Sequence, residues 1–315
     1  MALENWSSQA CLRFSRVGER TVLQGQASAP LKLQRCFSQT SGHCELPLLH
    51  TAGGLVGGDQ LCFDIAAGPK SRALITTVAA QKAYGSVGRS RLHPDGQWAR
   101  QQVVLTLEPG SNLEWLPQEL VLYAGALFEQ TVQVNLAADA AFLGAEVVRL
   151  GRTAAGEALG AGRWRSALEI RRQRDAAERF ELVDRLELGG EALGSTHGMA
   201  GEPVFGSLVW AAPQPLDATV MAALLEHCRS ARAGLAGTMA CGPLNQGLIA
   251  RYRGPSSQAA RFWFSRIWAL LRQLQGLARP ELPRVWPFQE QPWATSAVQA
   301  EPPIELAAAT VKPCI

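Results

Sequence analysis

The feature that most constrains this 315-residue chain is a recurrent alternation of short β-forming segments with turn signals, running from residue 10 to about residue 212. Residues 72–78, 102–107, 131–136, 167–171 and 180–188 carry β-branched side chains or apolar/polar alternation, the period-two signature of strands. Between them stand Gly68-Pro69, Pro94-Asp95-Gly96, Glu108-Pro109-Gly110 and Gly189-Gly190, each able to reverse the backbone. Many strands at such short spacing predict a mainly β architecture.

The pattern changes after Pro213-Gln214-Pro215. Leu216, Val220, Leu224, His227, Ala231 and Leu235 recur at helical spacing, with Asp217 placed to cap the start and Gly234 or Gly237 to stop it. A second helix is predicted over 257–274, where Phe262, Ile267, Leu270, Leu271 and Leu274 share a face, and residues 247–252 read as a strand between the two. The expected fold is therefore mainly β, with many short strands in a helically wound or layered arrangement and two α-helices near the C-terminal third. One domain is expected over 1–286. The prolines and the final alanine run of 287–315 predict a poorly ordered tail.

Composition narrows the function. Apolar residues make up 47% and charged residues 18%, which excludes disorder for the bulk of the chain. A net charge of +3, with basic residues scattered singly, argues against nucleic acid as the main partner. The start lacks the basic and apolar regions of a secretory signal, and no apolar run is long enough to span a membrane, so a cytoplasmic protein is expected. Seven cysteines without a pairing pattern fit reduced thiols in that compartment.

The run His50-Thr51-Ala52-Gly53-Gly54-Leu55-Val56-Gly57-Gly58-Asp59 invites a phosphate-loop reading, because Gly53 and Gly58 bracket four residues. The lysine and hydroxyl that meet phosphate and magnesium are replaced by Asp59 and Gln60, so nucleotide binding is rejected. The segment from Gly151 to Glu157 fails in the same way. His43-Cys44, His50, Cys62, His227-Cys228 and Cys241 lack the spacing of a closed metal site. No nucleophile elbow is present, and Ser195 and His197 are too near in sequence to imply a triad. Asp59, Glu119, Glu157 and Glu169 can be assembled on paper into carboxylate pairs, with salt bridges to neighbouring arginines as the plainer reading. Phe262, Trp263 and Trp268 spread over more of the second helix than one buried stripe needs. That helix is either sandwiched in the interior or presents an aromatic edge to a partner.

Taken together, several segments resemble the urease accessory protein UreD family, also called UreH. They are the glycine run ending at Asp59, Thr76–Tyr84 with Lys82, Leu113–Glu119, Gly151–Glu157 with Arg152, then Trp164, Glu169-Ile170, and Pro283-Arg284-Val285-Trp286. They fall in the family's order over roughly residues 10 to 286. The sequence departs from the pattern at Gly85 and at Tyr123-Ala124-Gly125, so no polar role is carried over to those positions.

The resemblance implies a non-enzymatic chaperone that binds apo-urease and the helical partner UreF, which recruits the GTPase UreG, with the nickel donor UreE acting indirectly. GTP hydrolysis in that hetero-oligomer then accompanies nickel insertion into urease, with no cofactor held tightly. It also implies transient Ni2+ passage through a water-filled interior, which requires weak oxygen or nitrogen contacts. The residues carried over are Asp59, Glu119, Glu157 and Glu169 as nickel contacts, with Lys82 and Arg152 as gating or pairing charges; Phe262, Trp263 and Trp268 stand beside them, from the helix pattern, as the candidate partner-binding face. The alternatives kept beside it are a mainly β hydrolase using a carboxylate pair and a β-rich scaffold whose glycine run serves packing alone.

Overall fold

The structure is a computed structural model that describes residues 5–174, 177–287 and 291–293. The chain opens with β1 (Ser7–Val17), β2 (Arg20–Ala27), β3 (Leu31–Leu33), β4 (Phe37–Ser38) and β5 (Cys44–His50). There follow β6 (Gln60–Ala67), β7 (Arg72–Thr77), β8 (Gln81–Ala83), β9 (Ala99–Leu107), β10 (Asn112–Trp115) and β11 (Leu120–Leu122). The central pair is β12 (Leu127–Leu136) and β13 (Ala141–Leu150), followed by β14 (Arg163–Arg174), β15 (Ala177–Gly189) and β16 (Val204–Ala211). Helix α1 (Ala218–Ser230), β17 (Thr238–Leu244), β18 (Gly247–Gly254) and helix α2 (Ser257–Leu274) complete the order.

The strands wind. One sheet runs β15-β14-β12-β9-β6-β1-β2, and the other runs β17-β18-β16-β13-β10-β7-β5-β3. From β6 to β13 the chain places one strand in the first sheet, turns a corner, places the next in the second, and returns by a short ledge strand. Pairings between successive coils are parallel: β6 with β9, β9 with β12, β7 with β10, and β10 with β13. The ledge is the parallel stack of β8 on β11, extended at one end by a bridge between Leu55 and Ala83. Two of the turn signals, Gly68-Pro69 and Glu108-Pro109-Gly110, are stacked corners. Gly68 N–H reaches Phe14 O, Lys70 N–H reaches Pro109 O, and Ala137 N–H reaches Leu107 O, so each corner hydrogen-bonds the next coil.

Strand parity divides the interior into two layers. Phe63, Val103, Val134, Phe142, Trp164 and Val209 fill the space between the sheets. The opposite face of the second sheet, with Leu143, Leu208, Trp210 and Tyr252, packs under the helices. The outer face of the first sheet meets solvent and is tied by ion pairs such as Arg13–Asp64 and Arg100–Glu129.

Helix α2 occupies the predicted 257–274 and is capped by Ser256, whose side chain accepts from Ala259 N–H. Trp263 and Trp268 are 0% and 1% exposed, so the aromatic residues proposed as a partner face are interior and only Phe262 stays half-buried. Trp263 donates to Cys228 O of α1, and Trp268 donates to Glu114 of β10. The sandwiched reading of this helix is the one its packing supports. Helix α1 ends at Ser230, short of Gly234 and Gly237, and Asp217 sits at its N-cap without a capping side-chain bond. The predicted tail lies mostly outside the described residues; within them, Pro292 O accepts from Arg266 Nε.

Candidate functional site

Between the two sheets lies a cavity of about 290 Å³. Its walls are mostly apolar, with Leu61, Phe63, Phe128, Val132, Phe142 and Val209 among them. Two facing rows of polar side chains cross this apolar space. In the first sheet, strand register aligns Gln101 of β9, Gln130 of β12 and Ser166 of β14. In the second, it aligns Glu146 of β13 with Ser207 of β16. All five line the cavity. Gln130 Nε2 donates to Glu146 Oε2 at 2.7 Å, joining the two rows across the gap.

Glu146 is the single acid in its strand, Ala141–Leu150, and its parity with Phe142 and Val148 turns it inward. Burial pushes its carboxyl up to about 7, against the lowering pull of Arg251 and Gln130, while Asp184 pushes the same way as burial. The group is therefore poised between acid and carboxylate near neutral pH. A neutral acid donates a hydrogen bond, and an ionised one attracts a cation.

The ledge end of the cavity is lined by His50, Gly53, Gln81, Lys82 and Gln118. Burial lowers the His50 imidazole, whose Nε2 is enclosed without a hydrogen-bond partner among the described residues. The ring packs against Trp6 at 5.3 Å. A neutral ring nitrogen at this end carries a lone pair free to accept a hydrogen bond or a ligand. Lys82 is half-buried on the same rim.

The glycine run is the wall beside this end. Leu55 N–H donates to Lys82 O, and Tyr84 N–H donates back to Leu55 O. A Cβ on Gly54 would stand 2.6 Å from the Tyr84 ring, and one on Gly57 would strike Ser86 Oγ and Gln97 O, so close approach explains both glycines. Tyr84 also donates to Gly53 O and meets Tyr123 edge-on at 4.8 Å, while the Arg152 guanidinium covers Tyr123 at 4.5 Å. Three of the segments of the resemblance, the glycine run, the stretch with Lys82 and Tyr84, and the stretch with Arg152, thus meet at the ledge.

The four acids chosen from those segments are placed elsewhere, and none lines the cavity. Asp59 is 1% exposed and accepts from Val56 N–H at 2.8 Å, closing the glycine run; burial raises its carboxyl. Glu119 pairs with Arg261 of α2 at 2.7 Å. Glu157 accepts from Arg152 and from Ala124 N–H, which hold it below the usual carboxylate range. Glu169 lies on the solvent face of the first sheet between Arg185 and Arg171, opposite in parity to Leu168 and Ile170. Each acid has its own set of partners, so they form no catalytic pair. Among the described residues, no group of three or more His, Cys, Asp or Glu is placed to hold a metal.

A second buried polar cluster fastens α2 to the second sheet. Burial raises the Glu114 carboxyl, but the pull of His43, of the Arg272 guanidinium and of the Trp268 N–H outweighs it and leaves the group below its ordinary range. Arg272 reaches Glu114 through Nε at 2.8 Å and Nη2 at 2.6 Å. Burial pushes His43 down to about 4, so the ring is neutral at physiological pH. This cluster explains Glu114 in the Leu113–Glu119 segment as structural. At the other end of that scaffold, Trp286 donates to Thr76 Oγ1 at 2.8 Å and anchors the last of the recognised segments.

Comparison with known proteins matches this sequence to a family. The family model described as UreD urease accessory protein matches residues 7–287. A protein named urease accessory protein UreD from Parasynechococcus marenigrum (strain WH8102) is 61% identical over 291 residues, covering 92% of this chain and 94% of its own. The similarly named protein of Synechococcus sp. (strain WH7805) is 61% identical over 303 residues, covering 94% and 95%. That of Prochlorococcus marinus (strain MIT 9313) is 61% identical over 271 residues, covering 86% and 85%. With matches of this length and identity over the same strands that enclose the cavity, the chain belongs to the UreD family of urease accessory proteins.

Proposed function

We propose that this chain acts in urease maturation as a non-catalytic chaperone in the cytoplasm, binding apo-urease and UreF, and UreG through UreF. In this reading Ni2+ is its cargo and crosses the space between the two sheets. The observation that carries the proposal is the pair of polar rows meeting at Gln130 and Glu146 inside an otherwise apolar cavity. A folding core gains nothing from an acid there, since burial of an ionised carboxyl costs several kcal/mol unless it is well paired. A divalent ion entering beside His50 finds one imidazole nitrogen, then amide and hydroxyl oxygens, then Glu146. None of these is a thiolate, and no three acidic or imidazole ligands converge among the described residues, so the ion is free to leave. Asp59, Glu157 and Arg152 serve the path indirectly, by fixing the glycine run and the ledge that form its rim.

The test is nickel per urease active site in cells carrying urease and its accessory genes, with Glu146→Gln in this chain and a pull-down of the tagged protein. The expected result is nickel-poor urease with UreF and urease still recovered. Full nickel loading in E146Q would overturn the passage, and failure to recover either partner from the unaltered protein would overturn the assembly.

A further inference from the structure

Past the cavity the second-sheet row continues to a charged residue, while in the first sheet Ser166 is followed by Leu186 and the next charge stands one row over. In the second sheet the neighbour of Ser207 is Arg251 of β18, and in the first sheet the neighbour of Leu168 is Asp184 of β15. Both side chains point between the sheets. Arg251 alternates with Ala250 and Tyr252, which pack under the helices, and Asp184 shares parity with Leu182 and Leu186, which pack on the inter-sheet core. Arg251 Nη2 donates to Asp184 Oδ2, so this ion pair joins the sheets at the end of the path remote from the ledge. The pair touches solvent, with side chains 28% and 19% exposed. Arg251 Nη1 is nonetheless buried without a hydrogen-bond partner among the described residues, and the guanidinium lies 5.5 Å from the Phe205 ring centre.

We propose that Arg251 and Asp184 form the exit of the passage and set the charge of the ion that leaves by it. The inference rests on reading the cavity as a nickel path. While paired, the two groups close the gap and nearly cancel each other's field. When Arg251 swings away along Phe205, Asp184 is left as the next carboxylate after Glu146, and a divalent cation moves from one to the other. An uncovered guanidinium at the same place repels a cation through a short, poorly screened distance. The two partners of one ion pair therefore have opposite effects on passage, which a purely structural salt bridge does not.

The experiment follows nickel arrival in urease over time, using the complex of the full chain with urease and its partner proteins, supplied with a nickel salt. Asp184→Asn leaves Arg251 uncovered and is expected to slow arrival roughly tenfold or more. Arg251→Gln opens the exit while keeping Asp184, and is expected to speed arrival several-fold. The double variant is expected to recover most of the rate lost in D184N. Equal losses in both single variants, or a double variant no better than D184N, would overturn the assignment. Should D184N fail to accumulate in the complex, R251Q decides alone, because an unchanged or slower rate overturns the proposal. E146Q separates the two levels of the account. If it slows arrival and D184N does not, the exit assignment fails; if neither matters, the passage itself fails.

Discussion

Replacing Glu146 with Gln changes stability in a pH-dependent way whose sign follows from the cavity. The carboxyl titrates near 4.5 when unfolded and at about 7 when folded. Between those values the folded state binds more protons than the unfolded one, so this group's contribution to stability falls as pH rises and levels off above 7. Fully ionised, it costs the fold about 3 kcal/mol if the site is dry. The cavity, about 290 Å³, is large and polar enough to admit water beside the carboxylate. Such hydration lowers the cost to about 1–2 kcal/mol. The amide oxygen of Gln keeps the bond from Gln130 Nε2, so the substitution removes the charge and little else. The assay is urea unfolding of the full-length chain and of E146Q, followed by tryptophan fluorescence between pH 4.5 and 8. The variant should match the unaltered protein near pH 4.5 and exceed it by about 1–2 kcal/mol at pH 8. His43 contributes a slope of the opposite sign in both proteins and cancels in the difference. A difference that stays flat with pH, or a variant that weakens further at pH 8, would refute the reasoning.

Three further outcomes follow from the same geometry. Arg272→Gln strands the Glu114 carboxylate in the interior and should cost about 3–5 kcal/mol in urea unfolding, whereas Trp268→Phe removes one donor and should cost less. His43 titrates at about 4 when folded against 6.5 unfolded, so its contribution is lost as pH falls from 6.5 through 4. His43→Gln should flatten that acid limb, measured as the urea midpoint at pH 4 and pH 7. Glu169→Ala disturbs only ion pairs on the solvent face, so stability should change by about 1 kcal/mol or less and nickel loading of urease should stay normal.

Much of the fold was legible in the sequence because strands and corners are local. The turn signals at Gly68-Pro69 and Pro109-Gly110 are the stacked corners, and α2 begins and ends where its apolar face does. What local pattern could not show was which strands share a row. β16 is buried at every position because it lies between the inter-sheet core and the helices, which hides the alternation that strand reading needs. The site was legible only at its rim. Lys82 and the glycine run mark the ledge, while the acids that end the recognised segments lie outside the cavity in ion pairs and backbone hydrogen bonds. Glu169 could have been set aside from sequence, since its apolar neighbours Leu168 and Ile170 place it on the opposite face. Glu146 carried one signal, a lone acid in an otherwise apolar strand. Only the register, which sets it beside Ser207 and across from Gln130, shows that it belongs to a row of polar groups inside the cavity.

The central claim is that nickel crosses the space between the sheets, and blocking that space tests it most directly. Ser166 lies on the path at the β14 end of the first-sheet row, and the cavity beside it has room for an aromatic ring. Ser166→Phe should therefore fold and bind partners while closing the path. The measurement is nickel per urease active site in the complex containing this variant, beside recovery of urease and UreF. The account predicts partner recovery equal to the unaltered chain with urease left largely without nickel; normal nickel loading with the cavity filled would contradict it.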